Sequence, residues 1–146
     1  MIHHRITHAA AACCVALPAF AAFAAANPLL AEQWKTRPVV VVVPLAGDAL
    51  LMKVQKSLDE PRGREAFRER DMALYMVVSG QGSRNGKALT AAQTQALLQA
   101  LKLDAQGPPT FVLVGKDGGV KMREGANVDL QDVFAEIDRM PMRQPR

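Results

Sequence analysis

Unbroken apolar runs alternate with amphipathic stretches along this chain, and the alternation predicts its elements. "RPVVVVVP", Arg37 to Pro44, is a β-branched run closed by proline. Continuous apolarity of that length fits a strand buried on both faces. "GDALLMKVQKSL" follows, with Asp48 as the N-cap of a helix and Leu51, Val54 and Leu58 recurring on one side of it. Pro61 and Gly63 interrupt this helix, and a second helical piece is expected from about Arg64 to Arg70, anchored by Ala66 and Phe67. "MALYMVV", Met72 to Val78, is a second buried strand, and the polar, glycine-rich "SGQGSRNGK" after it reads as a flexible loop.

Thr90 and Gln93 have the spacing of a capping box. The helix they open carries Leu89, Ala92, Ala96, Leu97, Ala100 and Leu101 near one face, and Gly107-Pro108-Pro109 ends the connection. Thr110 to Val114 form a third strand, and Asp117-Gly118 a hairpin turn, since that pair tolerates positive φ. In Val120-Lys121-Met122-Arg123 apolar and cationic residues alternate, as in an outer strand whose cations oppose edge pairing. A last helix starts near Asp129, with Leu130, Val133, Phe134, Ile137 and Met140 as its apolar stripe; Asp129 and Asp132 suit its N-terminus and Arg139 its C-terminus, and Pro141 stops it. Trp34 is expected to anchor the core, and most of Met52, Met72, Met76, Met122 and Met140 fall on core-facing positions.

The order strand, helix, strand, helix, strand, strand, helix predicts an α/β domain. A right-handed βαβ crossover and a hairpin make a four-stranded mixed sheet with helices on both faces, a three-layer sandwich.

The amino terminus adds an address. Met1 to His8 carry one Arg and no acid, Ala9 to Phe23 are almost wholly apolar, and Ala24-Ala25-Ala26 supplies small residues. These are the three parts of a cleavable signal peptide, so residues 1–26 are expected to be removed. The domain would then span 27–140, with 141–146 as a flexible basic tail. The expected location is periplasmic or extracellular, with no stable membrane insertion after cleavage. A lipidated Cys13 is disfavoured, because only four alanines separate it from His8.

Cleavage removes Cys13, Cys14, His3, His4 and His8, leaving neither Cys nor His in residues 27–146. Zinc, copper and haem lose their usual ligands, so no metal site and no cofactor are expected. A Ser-His-Asp hydrolase is excluded for want of a histidine. "GQGSRNGK" is not a phosphate loop: five residues rather than four separate Gly80 from Gly86, and Ala88 follows Lys87. The 18 Lys and Arg fall to 17 when Arg5 leaves, against 14 acids. The charges are mixed, as in "EPRGREAFRERD", which argues for a solvated face and against nucleic acid.

The element order is the minimal thioredoxin-like arrangement. Pro109 to Val114, followed by Lys116-Asp117-Gly118-Gly119, resembles the thioredoxin segment in which a cis proline precedes the third strand. That resemblance assigns the cis proline to Pro109. "NPLLAEQWKTRPVVVVVP", "RERDMALYMVV", "FVLVGKDGGVKMR" and "LQDVFAEIDRMPMR" are together similar to secreted bacterial proteins of the domain-of-unknown-function 4174 family. The same domain resembles modules of animal sushi-repeat and coiled-coil-domain-80 type proteins. The family is thought to be thioredoxin-like or peroxiredoxin-like, and the resemblance names no activity.

Thioredoxin chemistry needs a thiolate at a helix N-terminus. The matching place here, Pro44 to Leu50, contains no sulfur nucleophile. No catalytic residue is therefore expected. The resemblance implies instead a groove beside Pro109 and Thr110, walled by Leu45, Ala46, Gly47 and Asp48, that takes a protein or extended peptide in a strand-like mode. Two rivals are an oxidoreductase that depends on a cysteine-bearing partner, and a small-ligand or anion binder using the N–H groups at Asp48.

Overall fold

The computed structural model of the protein describes residues 25–142. Most of the expected signal segment and most of the expected tail lie outside them. Among the described residues no helix is long and apolar enough to cross a membrane.

A short 3₁₀ turn, Pro28–Glu32, precedes β1 (Arg37–Val43), α1 (Ala49–Asp59), α2 (Pro61–Glu69) and β2 (Met72–Val78). Then come β3 (Gln81–Arg84), β4 (Lys87–Ala88), α3 (Ala91–Leu101), β5 (Thr110–Val114), β6 (Val120–Glu124) and α4 (Leu130–Asp138). The sheet is mixed and has six strands, ordered β4-β3-β2-β1-β5-β6. Only β1 and β2 are parallel; β5 is antiparallel to β1, and the remaining neighbours are antiparallel too.

Strand β1 is buried on both sides, as its valine run predicts. Val39, Val41 and Val43 pack with α1, α2 and α4 through Leu50, Val54, Phe67, Val133 and Ile137. Val40 and Val42 face the opposite layer, where Leu97, Leu98 and Leu101 of α3 join Leu29. Asp48 caps α1 by accepting the Leu50 N–H (2.9 Å), and Asp129 caps α4 by accepting that of Gln131 (2.8 Å). The Thr90–Gln93 capping box is present in both directions.

The expected four-stranded sheet is corrected to six because residues 79–88 are not a flexible loop. Ser79 and Gly80 turn the chain with positive φ (49° and 80°), and Asn85 and Gly86 turn it again (46° and 81°). Asn-Gly is the pair that two-residue hairpins prefer. Asn85 also closes on β2, its N–H reaching the Leu74 carbonyl (2.7 Å) and its Oδ1 accepting the Leu74 N–H (2.8 Å). Gly82 is required where α3 crosses β3, since a Cβ there would lie 2.3 Å from Thr94 Oγ1.

Four smaller expectations are corrected. Helix α2 begins at Pro61 rather than Arg64, because proline suits the first helical position. The buried face of α3 is Thr94, Leu97, Leu98 and Leu101, while Ala92 and Ala100 are exposed. Trp34 is 67% exposed and Met52 55% exposed, so neither anchors the core. Met72, Met76, Met122 and Met140 do pack against it. All peptide bonds among the described residues are trans, including that before Pro109.

Gly63 sets the angle between α1 and α2, because a Cβ there would stand 1.7 Å from the Ser57 carbonyl oxygen. Backbone must move to admit it. Gly63→Ala is expected to lower unfolding free energy in urea by about 2 kcal/mol or more. Gly47→Ala, with nothing within 4 Å of the new methyl, is expected to stay within about 1 kcal/mol of the parent. Equal effects at the two positions would refute the close-approach argument.

Candidate functional site

The expected groove residues meet at one end of the sheet. Thr110 is paired with Val42 across the antiparallel β1–β5 ladder. Pro109 therefore arrives where β1 runs out into Pro44 to Asp48. Leu45, Ala46 and Gly47 are exposed, and Leu45 is 69% exposed. Asp48, Pro109 and Thr110 are half-buried. Met52, one turn into α1, adds a second exposed apolar side chain near the α1 end of this surface.

Each polar group here already has a local task. Asp48 is held by the Leu50 N–H, as expected for a cap that competes with any anion at α1. Thr110 Oγ1 donates to the Pro108 carbonyl (2.9 Å), and Ser79 Oγ on the neighbouring turn donates to the Pro44 carbonyl (3.0 Å). Since β1 and β5 are bonded to one another, an extended partner would rest on the apolar turn rather than add to a free strand edge. The surface offers shape and apolar contact, and its one carboxylate, Asp48, is engaged as the cap of α1. No group of three or more metal-ligating side chains occurs among the described residues.

A different cluster was not foreseen. Glu32, 4% exposed, sits at the end of the 3₁₀ turn under the sheet. Its carboxylate accepts from Thr36 Oγ1 (2.6 Å), the Tyr75 hydroxyl (2.6 Å) and Arg84 Nη2 (3.1 Å), and also from Arg84 Nε. Burial pushes the Glu32 carboxyl up, but the hydrogen bonds from Arg84, Thr36 and Tyr75, with the charge of Arg84, outweigh it and hold the group at about 2. Burial and the hydrogen bond to Glu32 raise the Tyr75 phenol well above its ordinary value. The bond to Glu32 raises Arg84 in turn. The carboxylate stays ionised and the phenol stays protonated, so neither serves as a proton-transfer group near neutral pH. The arrangement is a tie between the amino-terminal segment, β2 and β3. Tyr75 alone signalled it: a hydroxyl within a strand buried on both faces requires a partner. The partner's identity depends on the hairpin that brings Arg84 across.

Between α1 and α4 lies a cleft of about 470 Å³ whose wall includes Lys53 and Lys56. Lys53 Nζ is spent on the carbonyls of Ala126 (3.3 Å) and Val128 (2.9 Å), which pins the loop before α4.

The family model described as Domain of unknown function (DUF4174) matches residues 28–146. No curated protein and no solved structure gives a significant match.

The Glu32 tie has a pH signature. Its folded value lies below the ordinary 4.5, so its stabilisation is fully present above pH 4.5 or so and is lost as pH falls toward about 2. Glu32→Gln is expected to cost on the order of 2–3 kcal/mol at pH 7 and to flatten the unfolding free energy over that acid window. Chemical denaturation of both forms between pH 2 and pH 7 measures it; parallel curves would refute the assignment.

Proposed function

The chain belongs to the domain-of-unknown-function 4174 family, and from the surface it carries we propose that it is an exported, non-catalytic, thioredoxin-like module that binds another protein or an extended peptide. The central strands in the order β2-β1-β5-β6, with β1 and β2 parallel and β5 reversed, support the thioredoxin-like reading. Hairpin β3–β4 is then an addition at one edge. The absence of Cys and His from residues 27–146 supports a non-catalytic role.

One observation carries the proposal. The turn after β1, where a redox thioredoxin would place its thiol, instead presents Leu45 at 69% exposure beside Pro109 and Thr110. A leucine held in water at the end of a rigid strand gains free energy when a partner covers it, about 1.5–3 kcal/mol for full burial. Exposed Met52 extends the same apolar contact.

Affinity capture from an exported protein fraction, with the chain beginning at Asn27 as bait, tests this reading. A partner recovered by the parent is expected to be lost with Leu45→Asp and weakened with Pro109→Ala, while both variants keep the parent's unfolding midpoint to within a few degrees. Sustained insulin reduction or peroxide turnover by the same chain would favour the oxidoreductase reading and overturn this one.

A further inference from the structure

The Glu32 tie that fastens the amino-terminal segment also aims Arg84. Glu32 is 4% exposed, and its carboxylate accepts from Nε and Nη2 of Arg84. Those bonds use two of the five guanidinium N–H groups. The outer edge, made by Nη1 and the second N–H of Nη2, is turned away from Glu32, and the Arg84 side chain is 40% exposed. The Tyr75 hydroxyl, bonded to the same carboxylate, favours the charged guanidinium as well.

Arg84 lines a cleft of about 400 Å³ between the 3₁₀ turn, β3 and the start of α3. Pro28, Ala31 and Leu89 give it apolar walls, and Lys35 and Gln93 line it with Arg84. Lys35 is exposed, and among the described residues it forms no ion pair. Its neighbour Trp34 has φ 65°, donates its N–H to the Lys116 carbonyl (2.7 Å) and lines a separate cleft with Met140 and Met142. The chain thus reverses between the two openings. Gln93 spends its Oε1 on the Thr90 N–H (2.9 Å), which leaves its Nε2.

The groups left over select the ligand. Among the described residues Glu32 is the one acid lining the cleft, and Arg84 neutralises it. Lys35 then leaves a single positive charge, and the uncommitted N–H groups of Lys35, Arg84 and Gln93 are all donors. A cation would find no free carboxylate there. A planar carboxylate matches the parallel N–H groups of a guanidinium edge. Because Glu32 already holds that edge in place, little side-chain freedom is lost when a ligand meets it. The volume falls in the small-molecule range of roughly 300–1,000 Å³, and the apolar walls suit a short hydrocarbon body.

We propose that this cleft binds a small organic carboxylate, its two oxygens shared between the outer edge of Arg84 and the Lys35 ammonium, its apolar body against Pro28, Ala31 and Leu89. Glu32 is the positioning residue of the site and does not touch the ligand. None of these residues belongs to the Leu45 surface, so the two sites are independent.

Calorimetric titration of the full chain with four probes tests the site: isovalerate, isovaleramide, isoamylamine and acetate. Isovalerate is expected to give a saturable one-site heat. The amide and the amine, which keep the hydrocarbon and lose the anion, are expected to give none. Acetate, which keeps the anion and loses the hydrocarbon, is expected to bind about tenfold more weakly or worse. Lys35→Gln is expected to weaken isovalerate about fivefold, as for one surface charge contact, and Lys35→Glu to abolish its binding. Both variants should keep the parent's unfolding midpoint, because the Lys35 side chain is exposed and makes no bond within the fold. Arg84→Lys keeps a charge for Glu32 but has no planar edge, and is expected to lose binding while still folded. Leu45→Asp is expected to bind isovalerate as the parent does. Three results would overturn the proposal: no saturable heat with isovalerate, equal affinity for isovaleramide or isoamylamine, or unchanged isovalerate affinity in Lys35→Glu.

Discussion

Strand β1 must be covered on both sides, and the layered architecture answers that requirement. Val39 to Val43 are each at most 1% exposed. A strand apolar on alternate faces needs one covering layer; one apolar on every residue needs two. Helices α1, α2 and α4 supply one layer, and α3 with the 3₁₀ turn supplies the other. The parallel partner β2 and the antiparallel partner β5 complete the hydrogen bonding of β1, so the most buried backbone is also fully paired.

The Glu32 cluster fastens the amino-terminal segment to this frame. One carboxylate gathers donors from Thr36, Tyr75 and Arg84. Satisfied in this way, a buried charge fixes position; with a donor missing it would be costly. The consequence reaches Trp34, two residues beyond Glu32. The chain between the tie and β1 is short, so the indole is placed at the β5–β6 turn regardless of whether its backbone is comfortable there. A polar lock on one face of the sheet thus positions an exposed aromatic at its end.

The two ends of the sheet have different characters. At the Leu45 end, apolar side chains stand on a turn whose polar groups are all engaged locally. At the Trp34 end, a cleft lined by Trp34, Met140 and Met142 with both acidic and basic side chains adjoins the edge strand β6. Neither end assembles a nucleophile with a base. The polar side chains of this fold go into caps, turns and the Glu32 tie.

Much of this was written locally. The valine run, the Asp48 and Asp129 caps, the Thr90–Gln93 box and the Asp117-Gly118 turn each act over a few residues, and each appears where the sequence placed it. Leu45 to Asp48 and Pro109-Thr110, expected from the sequence as groove walls, come to the same end of the sheet through one long-range pairing, Val42 with Thr110. What failed was non-local. Residues 81–84 have little apolar character of their own, and they become a strand because β2 offers an edge and Asn85-Gly86 turns the chain back onto it. Trp34 looked like a core residue by its chemistry, yet its position was decided by the Glu32 tie and the Lys116 carbonyl, groups remote from it in sequence or fixed by other elements. Periodicity and capping are properties of a short segment. Which edge remains open, which aromatic remains in water and which carboxylate is buried depend on segments that meet only after the sheet has formed.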